Sequence, residues 1–188
     1  MATTGTISAA LIVSLLTLSP LANADKNGEK PGKVIAGWVE KIVLLDNGDE
    51  PIKAKLDSGA KTSSMHASKI EKFQRDGDNW VRFTFVDKNG SSAEFERPEV
   101  RGVKIKDLDG GFDHRPVVEM DICFDGRVRT TQFTLTDREE FVYRILLGRR
   151  FLSGVAVIDP ESTYLTKERC KEVREQEKDK GNNKDKDD

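Results

Sequence analysis

Three glycine-bearing turn signals set the limits on how this chain can fold. Asp46-Asn47-Gly48-Asp49, Lys88-Asn89-Gly90 and Asp125-Gly126 each stand between two runs of strand-forming residues. Asn-Gly and Asp-Gly supply the positive φ that tight hairpins require. The runs they join cover 34–45 and 51–57, 80–86 and 93–100, and 115–124 and 127–135. The first is rich in β-branched residues, with a bend expected at Gly37, and Val81, Phe83 and Phe85 alternate onto one face of 80–86. Pro98 interrupts 93–100. A short strand is expected over 101–106, and two closing strands over 155–158 and 162–165, joined by Asp159-Pro160. Short helices are expected over 66–73 and after Gly148. Many short strands with little helix predict an all-β fold, either a closed barrel or a sandwich.

The chemistry lies in the stretch Ala54-Lys55-Leu56-Asp57-Ser58-Gly59-Ala60-Lys61-Thr62-Ser63. It begins as a strand, with Ile52, Ala54 and Leu56 on one face, and stops at an acid followed by a hydroxyl residue and a glycine. Ser58 can donate a hydrogen bond to a carboxylate or to backbone, and Gly59 allows positive φ or close backbone approach. Such a turn suits a carboxylate that activates water. A single carboxylate in water is a weak base. Two held about 3 Å apart share one proton, so that one acts as base and the other as acid. The chain has one such turn, so the partner acid must come from elsewhere. Asp-Ser-Gly alone is also an ordinary turn sequence, and the flanking motifs have to decide its meaning.

Residues 1–24 carry no charged side chain and contain the apolar run 11–18, followed by Pro20 and the small-x-small sequence Ala22-Asn23-Ala24. The run is too short to span a bilayer and reads as a secretory signal cleaved after Ala24, which implies a periplasmic or secreted protein. A polar linker follows over 25–32, then one domain over 33–166. From 167 to 188 the chain is a solvated tail of alternating charges with almost no apolar side chain. The 31 basic and 33 acidic residues nearly cancel, to a net charge of −2, which argues against a nucleic-acid partner. No second apolar run argues for a membrane span. Two cysteines, Cys123 and Cys170, would enter an oxidising compartment and could pair, which would pin the tail to the body.

With Asp57-Ser58-Gly59-Ala60 and Leu146-Leu147-Gly148-Arg149 both in place, the chain resembles the retropepsin-like aspartic proteases. In that family an Asp-(Ser/Thr)-Gly-Ala turn holds the catalytic acid, and a later apolar-apolar-Gly-Arg segment packs beneath it. Further motifs narrow the likeness: Gly37-Trp38-Val39-Glu40, Ser64-Met65-His66-Ala67, Trp80-Val81-Arg82-Phe83, Arg115-Pro116-Val117-Val118 and Leu135-Thr136-Asp137-Arg138. Together they are similar to the bacterial branch labelled ATP-dependent zinc protease, whose members are retropepsin-like peptidases, some associated with ATP-grasp peptide ligases. The resemblance implies a closed acid-protease barrel and a homodimer in which each subunit contributes one catalytic Asp57. It implies that the Ser58 hydroxyl braces the paired turns and that Gly59 and Ala60 line the cleft beside a peptide or protein substrate. Leu146, Leu147 and Gly148 would support the turn by packing. Residues 107–113, rich in glycine, are the candidate flap. Lys61, four residues after the acid, is expected to face solvent.

The zinc label finds no support in the residues. His66 and His114 are the only histidines, and there is no His-Glu-x-x-His or Cys-x-x-Cys. A site could be assembled from His66, His114 and Asp113, but their spacing does not require one, so no metal and no cofactor is expected. The absence of a Gly-x-x-x-x-Gly-Lys-(Ser/Thr) loop likewise leaves ATP unexplained. The primary expectation is an exported aspartic endopeptidase. The alternatives are a periplasmic peptide-binding or regulatory module without catalysis and, third, a zinc-dependent peptidase.

Overall fold

The computed structural model describes residues 32–48, 50–106 and 110–167, together with Met1 and Cys170. Within them the strands are β1 (Val34–Leu44), β2 (Ile52–Asp57), β3 (Ser63–His66), β4 (Ser68–Arg75), β5 (Asp78–Val86), β6 (Ser92–Pro98), β7 (Arg101–Lys106), β8 (Phe112–Phe124), β9 (Arg127–Thr136), β10 (Ile145–Gly148) and β11 (Ala156–Thr163). One helical turn, α1 (Arg149–Leu152), follows β10 directly. The signal peptide expected over 1–24 lies outside the described residues except for Met1. So do most of the linker, part of the candidate flap and most of the charged tail.

The main sheet runs β11-β1-β2-β10-β3-β9-β8-β7, and a further pairing of β1 with β8 brings it round on itself. The ring β1-β2-β10-β3-β9-β8 is therefore closed, with β11 and β7 attached outside it. The closing contact is short, Val43 opposite Cys123 and Leu44 opposite Ile122. Inside the ring, Ile42, Leu56, Met65, Met120, Ile122, Phe133, Leu135, Ile145 and Leu147 are buried in one cluster. The expected all-β barrel is thus the fold. A second sheet, β4-β5-β6, sits on this core through Val81, Phe83, Phe85 and Phe95. The alternation read in 80–86 marks its inward face.

Two expected elements differ. The helix expected over 66–73 is instead the end of β3 and most of β4. Lys69 turns the chain over at φ 50, the β4–β5 ladder shifts register between Ser68 and Glu71, and residues 71–75 pair with β5. Asp76 and Gly77, at φ 54 and 87, make the tight turn between β4 and β5. Ladder hydrogen bonds, the tilted contact of Phe73 with Trp80 and Arg75 over the Trp80 ring hold this stretch as strand. The two closing strands expected at 155–158 and 162–165 are one strand, β11, running through Pro160. As an edge strand, β11 tolerates a residue that cannot donate to a ladder. It lies parallel to β1, and the register slips between Gly37 and Val39, where a side chain at Gly37 would strike the backbone of Ser162 and Thr163.

Beyond β11 the chain is tied back to β1. The buried carboxylate of Glu40 accepts N–H bonds from Gly37 (2.6 Å), Leu165 (2.9 Å) and Thr166 (3.2 Å), and the Thr166 hydroxyl (2.7 Å). Cys170 then bonds to Cys123 on β8. A loop of this length is strongly constrained by its crosslink, so a Cys123→Ser/Cys170→Ser protein should lose about 2–4 kcal/mol of stability. Chemical denaturation of the purified variant against the oxidised wild type measures this. An unchanged midpoint would contradict it.

Candidate active site

Asp57 is the last residue of β2. There the chain leaves the sheet, crosses the loop 58–62 and re-enters as β3. The gap between these two strands is filled by β10, parallel to β2 (Leu147 opposite Leu56, Gly148 opposite Asp57) and antiparallel to β3 (Leu146 opposite Ser64). A strand from late in the chain therefore holds open the turn that carries the acid. Leu147 is fully buried beneath it.

The turn is fixed by its own carboxylate and by β10. Asp57 Oδ1 accepts the N–H groups of Gly59 (2.9 Å) and Ala60 (3.2 Å). A Cβ on Gly59 would lie 3.1 Å from that same oxygen. At Gly148 the constraint is tighter: a Cβ would meet the Thr62 carbonyl oxygen at 2.5 Å and that of Ala60 at 3.0 Å. The Gly148 N–H bonds to the buried Ser63 hydroxyl (3.2 Å). Arg149, next in sequence, donates from its guanidinium to the carbonyls of Ser58 (2.9 Å) and Gly59 (2.7 Å), and from its backbone N–H to Ala60 (2.8 Å). The carbonyls of Ser58, Gly59, Ala60 and Lys61 are thus all held by Arg149 and Arg150.

The other face of the loop is open. Ser58, Gly59 and Lys61 are exposed, Ala60 is half-buried, and the Asp57 side chain retains 26% of its surface. Ser58 and Arg149 border a groove of about 460 Å³ that continues over Leu152, Ala156 and Ile158. Val157 and Ile35, paired across β11 and β1, are exposed apolar side chains that alternate away from Ala156 and Ile158.

Cations gather round the acid. Lys55 Nζ stands 3.7 Å from Asp57 Oδ2. Arg138 is close enough to feel both Asp57 and Arg115. Burial, and then the Arg115 cation, hold its guanidinium below the ordinary arginine value, and Asp57 partly offsets them. The Arg138 side chain is held by the Tyr143 carbonyl and the Ser64 hydroxyl (both 3.3 Å) and lies over the Phe141 ring. Its backbone N–H donates to Nδ1 of the buried His66 (3.0 Å), which places the imidazole proton on Nε2. His66 is thus a structural acceptor, while His114 is an exposed residue of β8. Among the described residues no three His, Cys, Asp or Glu side chains are grouped to hold a metal ion.

The sequence reading assigned no role to Arg138 or Arg149, although both stand inside motifs it quoted. What signals them is charge next to an apolar β-segment end, a pattern common to many surface arginines. Of the candidate flap, residues 107–109 lie outside the described residues, and the strands on either side, β7 and β8, pair from Lys106–Phe112 inward.

Residues 35–169 match the model of a family described as RimB-like, the retropepsin-like aspartic endopeptidase RimB. Among curated proteins, the chain is 35% identical over 135 residues to a protein of Shewanella halifaxensis named "Probable alpha-L-glutamate ligase". It is 36% identical over 132 residues to one of the same name from Desulfotalea psychrophila. These matches take in 70% and 68% of this chain but only 30% and 28% of the relatives, so the chain corresponds to under a third of their length. A crystal structure of a protein of unknown function from Legionella pneumophila superposes with a TM-score of 0.63 at 38% identity, covering 71% of this chain and 98% of that one.

Two predictions follow from the packing and the buried imidazole. Gly148→Ala should cost about 1–3 kcal/mol or more, since the nearest atoms are backbone and cannot swing aside; thermal unfolding measures it, and a neutral result would refute the close approach. Burial first, and then the Arg144 cation, lower the pKa of His66 below 6.5. The unfolded chain therefore binds more protons than the folded one as pH falls through that value. Stability should decline on acidification from about pH 7 to pH 5. His66→Gln should flatten that part of the profile, and an unchanged slope would contradict the assignment.

Proposed function

This chain belongs to the RimB-like family of retropepsin-like aspartic endopeptidases, and from that premise we propose that it hydrolyses peptide bonds with a water activated between two Asp57 carboxylates, one from each subunit of a homodimer. The observation that carries the proposal is the Asp57 turn itself: its geometry is fixed from below by Gly148 and Arg149, while its upper face is open. A barrel with one acid at an outward turn is half of a site. The groove beside Ser58 gives a second copy a surface to cover.

In this dyad the ionised Asp57 takes a proton from water, and the resulting oxygen nucleophile attacks the amide carbon. The protonated Asp57 of the other subunit gives its proton to the carbonyl oxygen. The tetrahedral diol then passes a proton to the amide nitrogen, the C–N bond breaks, and the products are a carboxylic acid and an amine.

Acidic peptides fit the cleft best. Lys55 and Arg138 put two cations near Asp57, while Arg115 beside Arg138 is already paired with Asp113, an arrangement that leaves positive charge for side-chain carboxylates on the substrate. The relatives named for α-L-glutamate ligation carry a similar stretch, and an α-glutamyl amide is the bond an endopeptidase in their company would cleave. Export remains part of the proposal, supported by the Cys123–Cys170 disulfide, a bond that persists in oxidising compartments.

Asp57→Asn should leave the dimer intact in analytical ultracentrifugation and lower cleavage of a glutamate-rich peptide by at least about a hundredfold. Retained cleavage would sink the mechanism, and a monomeric wild type with no cleavage would favour the binding-module reading. Arg138→Gln should reduce kcat/KM for the acidic peptide by about ten- to a hundredfold, with much less effect on a neutral one. An equal loss on both would assign Arg138 to scaffolding.

A further inference from the structure

Arg144, just ahead of β10, is nine-tenths buried, and among the described residues neither its Nε nor its Nη1 finds an acceptor. A guanidinium cannot shed its charge, so burial without a counter-ion is a strong demand for an anion. Arg144 lines a cavity of about 120 Å³ together with Pro51, Ile52, Lys53, Asp87, Lys88 and Val142. Among the described residues, the charged residues that line that space are Lys88 and Arg144, Lys53 with its ammonium over the Tyr164 ring, and one carboxylate. That carboxylate, Asp87, is already engaged by the N–H groups of Asn89 (2.8 Å) and Ser91 (2.9 Å). Among the described residues, Lys88 reaches a neutral acceptor, the Glu139 carbonyl (3.3 Å).

We propose that this cavity is a binding site for a small oxyanion of carboxylate or phosphate type, with Arg144 as its principal ligand. The planar fork of a guanidinium matches two oxygens of either group, and the volume admits one such group and little more. The register ties the site to Asp57. Leu146 pairs with Lys55 and Gly148 with Asp57, and Arg144 stands just ahead of the first residue of β10. Arg144 and Asp57 are thus about four residues apart along the strand direction, about 13 Å at the usual strand rise. The anion has two sources: a free ion, or a carboxylate of the peptide whose cleavage is proposed above. Only the second rests on that proposal.

His66 reports occupancy, because the Arg144 cation is one cause of its lowered pKa. A bound oxyanion neutralises that cation. In the Asp57→Asn protein, which binds without turnover, the His66 imidazole followed by NMR should titrate at higher pH as inorganic phosphate is added. The shift should saturate, and chloride at equal ionic strength should not reproduce it. Arg144→Met should abolish the response. No saturable shift in the first protein, or the same shift after Arg144→Met, overturns the site, and the former applies even if Arg144→Met fails to fold. A penta-α-glutamate peptide separates the sources. If phosphate displaces the peptide in proportion to site occupancy, the anion is the substrate's carboxylate. If the His66 shift appears while peptide affinity is unchanged, it is a free ion. The peptidase proposal can fail without affecting the phosphate result.

Discussion

The insertion of β10 between β2 and β3 is the constraint on which the rest of this molecule depends. Two strands joined by a short loop would ordinarily pair with each other. Here they are forced apart, and the loop between them has to span the inserted strand while presenting Asp57. The space left beneath the loop is so small that Gly148 has no substitute free of backbone collision. The same contact supplies order. The Gly148 N–H, the Arg149 N–H and the Arg149 guanidinium satisfy Ser63, Ala60, Ser58 and Gly59 in one sequence-local cluster. The acid is rigid because its neighbours are held by a strand that is itself part of the barrel wall.

Electrostatics around the turn follow from the same arrangement. Alternate residues of β2 share a face, so a lysine two places before Asp57 is bound to approach it. Arg138 comes from the segment after β9 and reaches the neighbourhood because His66, at the end of β3, fixes its backbone. Sequence places these residues far apart. The parallel pairing of β3 with β9 brings them together.

Much of the fold was legible in the chain. Asp125-Gly126 sits at φ 52 and 69 between Phe124 and Arg127, the tight hairpin that the dipeptide signals. Asp57-Ser58-Gly59-Ala60 and Leu146-Leu147-Gly148-Arg149 read together point to the family to which the chain belongs. What escaped was non-local. The helix expected over 66–73 is a strand because residues 71–75 pair with β5 across the Asp76-Gly77 turn, a partner that the local sequence does not reveal. Pro160 suggested a break, and only the edge position of β11 lets the strand continue through it. The roles of Arg138, Arg144 and Arg149 depend on which carbonyls, anions and cavities lie within a side chain's length, and no periodicity encodes that.

The place of β10 in the sheet also orders events during synthesis. Ribosomes deliver the chain from its amino terminus, so β2, the acid and β3 all emerge well before residues 145–149. Until those residues arrive there is nothing to lodge between the two strands, nothing to occupy the carbonyls of the loop, and no closed ring. Such late, long-range closure is slow compared with hairpin formation. A growing chain therefore carries its aspartate on an unsupported loop, and the machinery is assembled only by one of the last strands to be made.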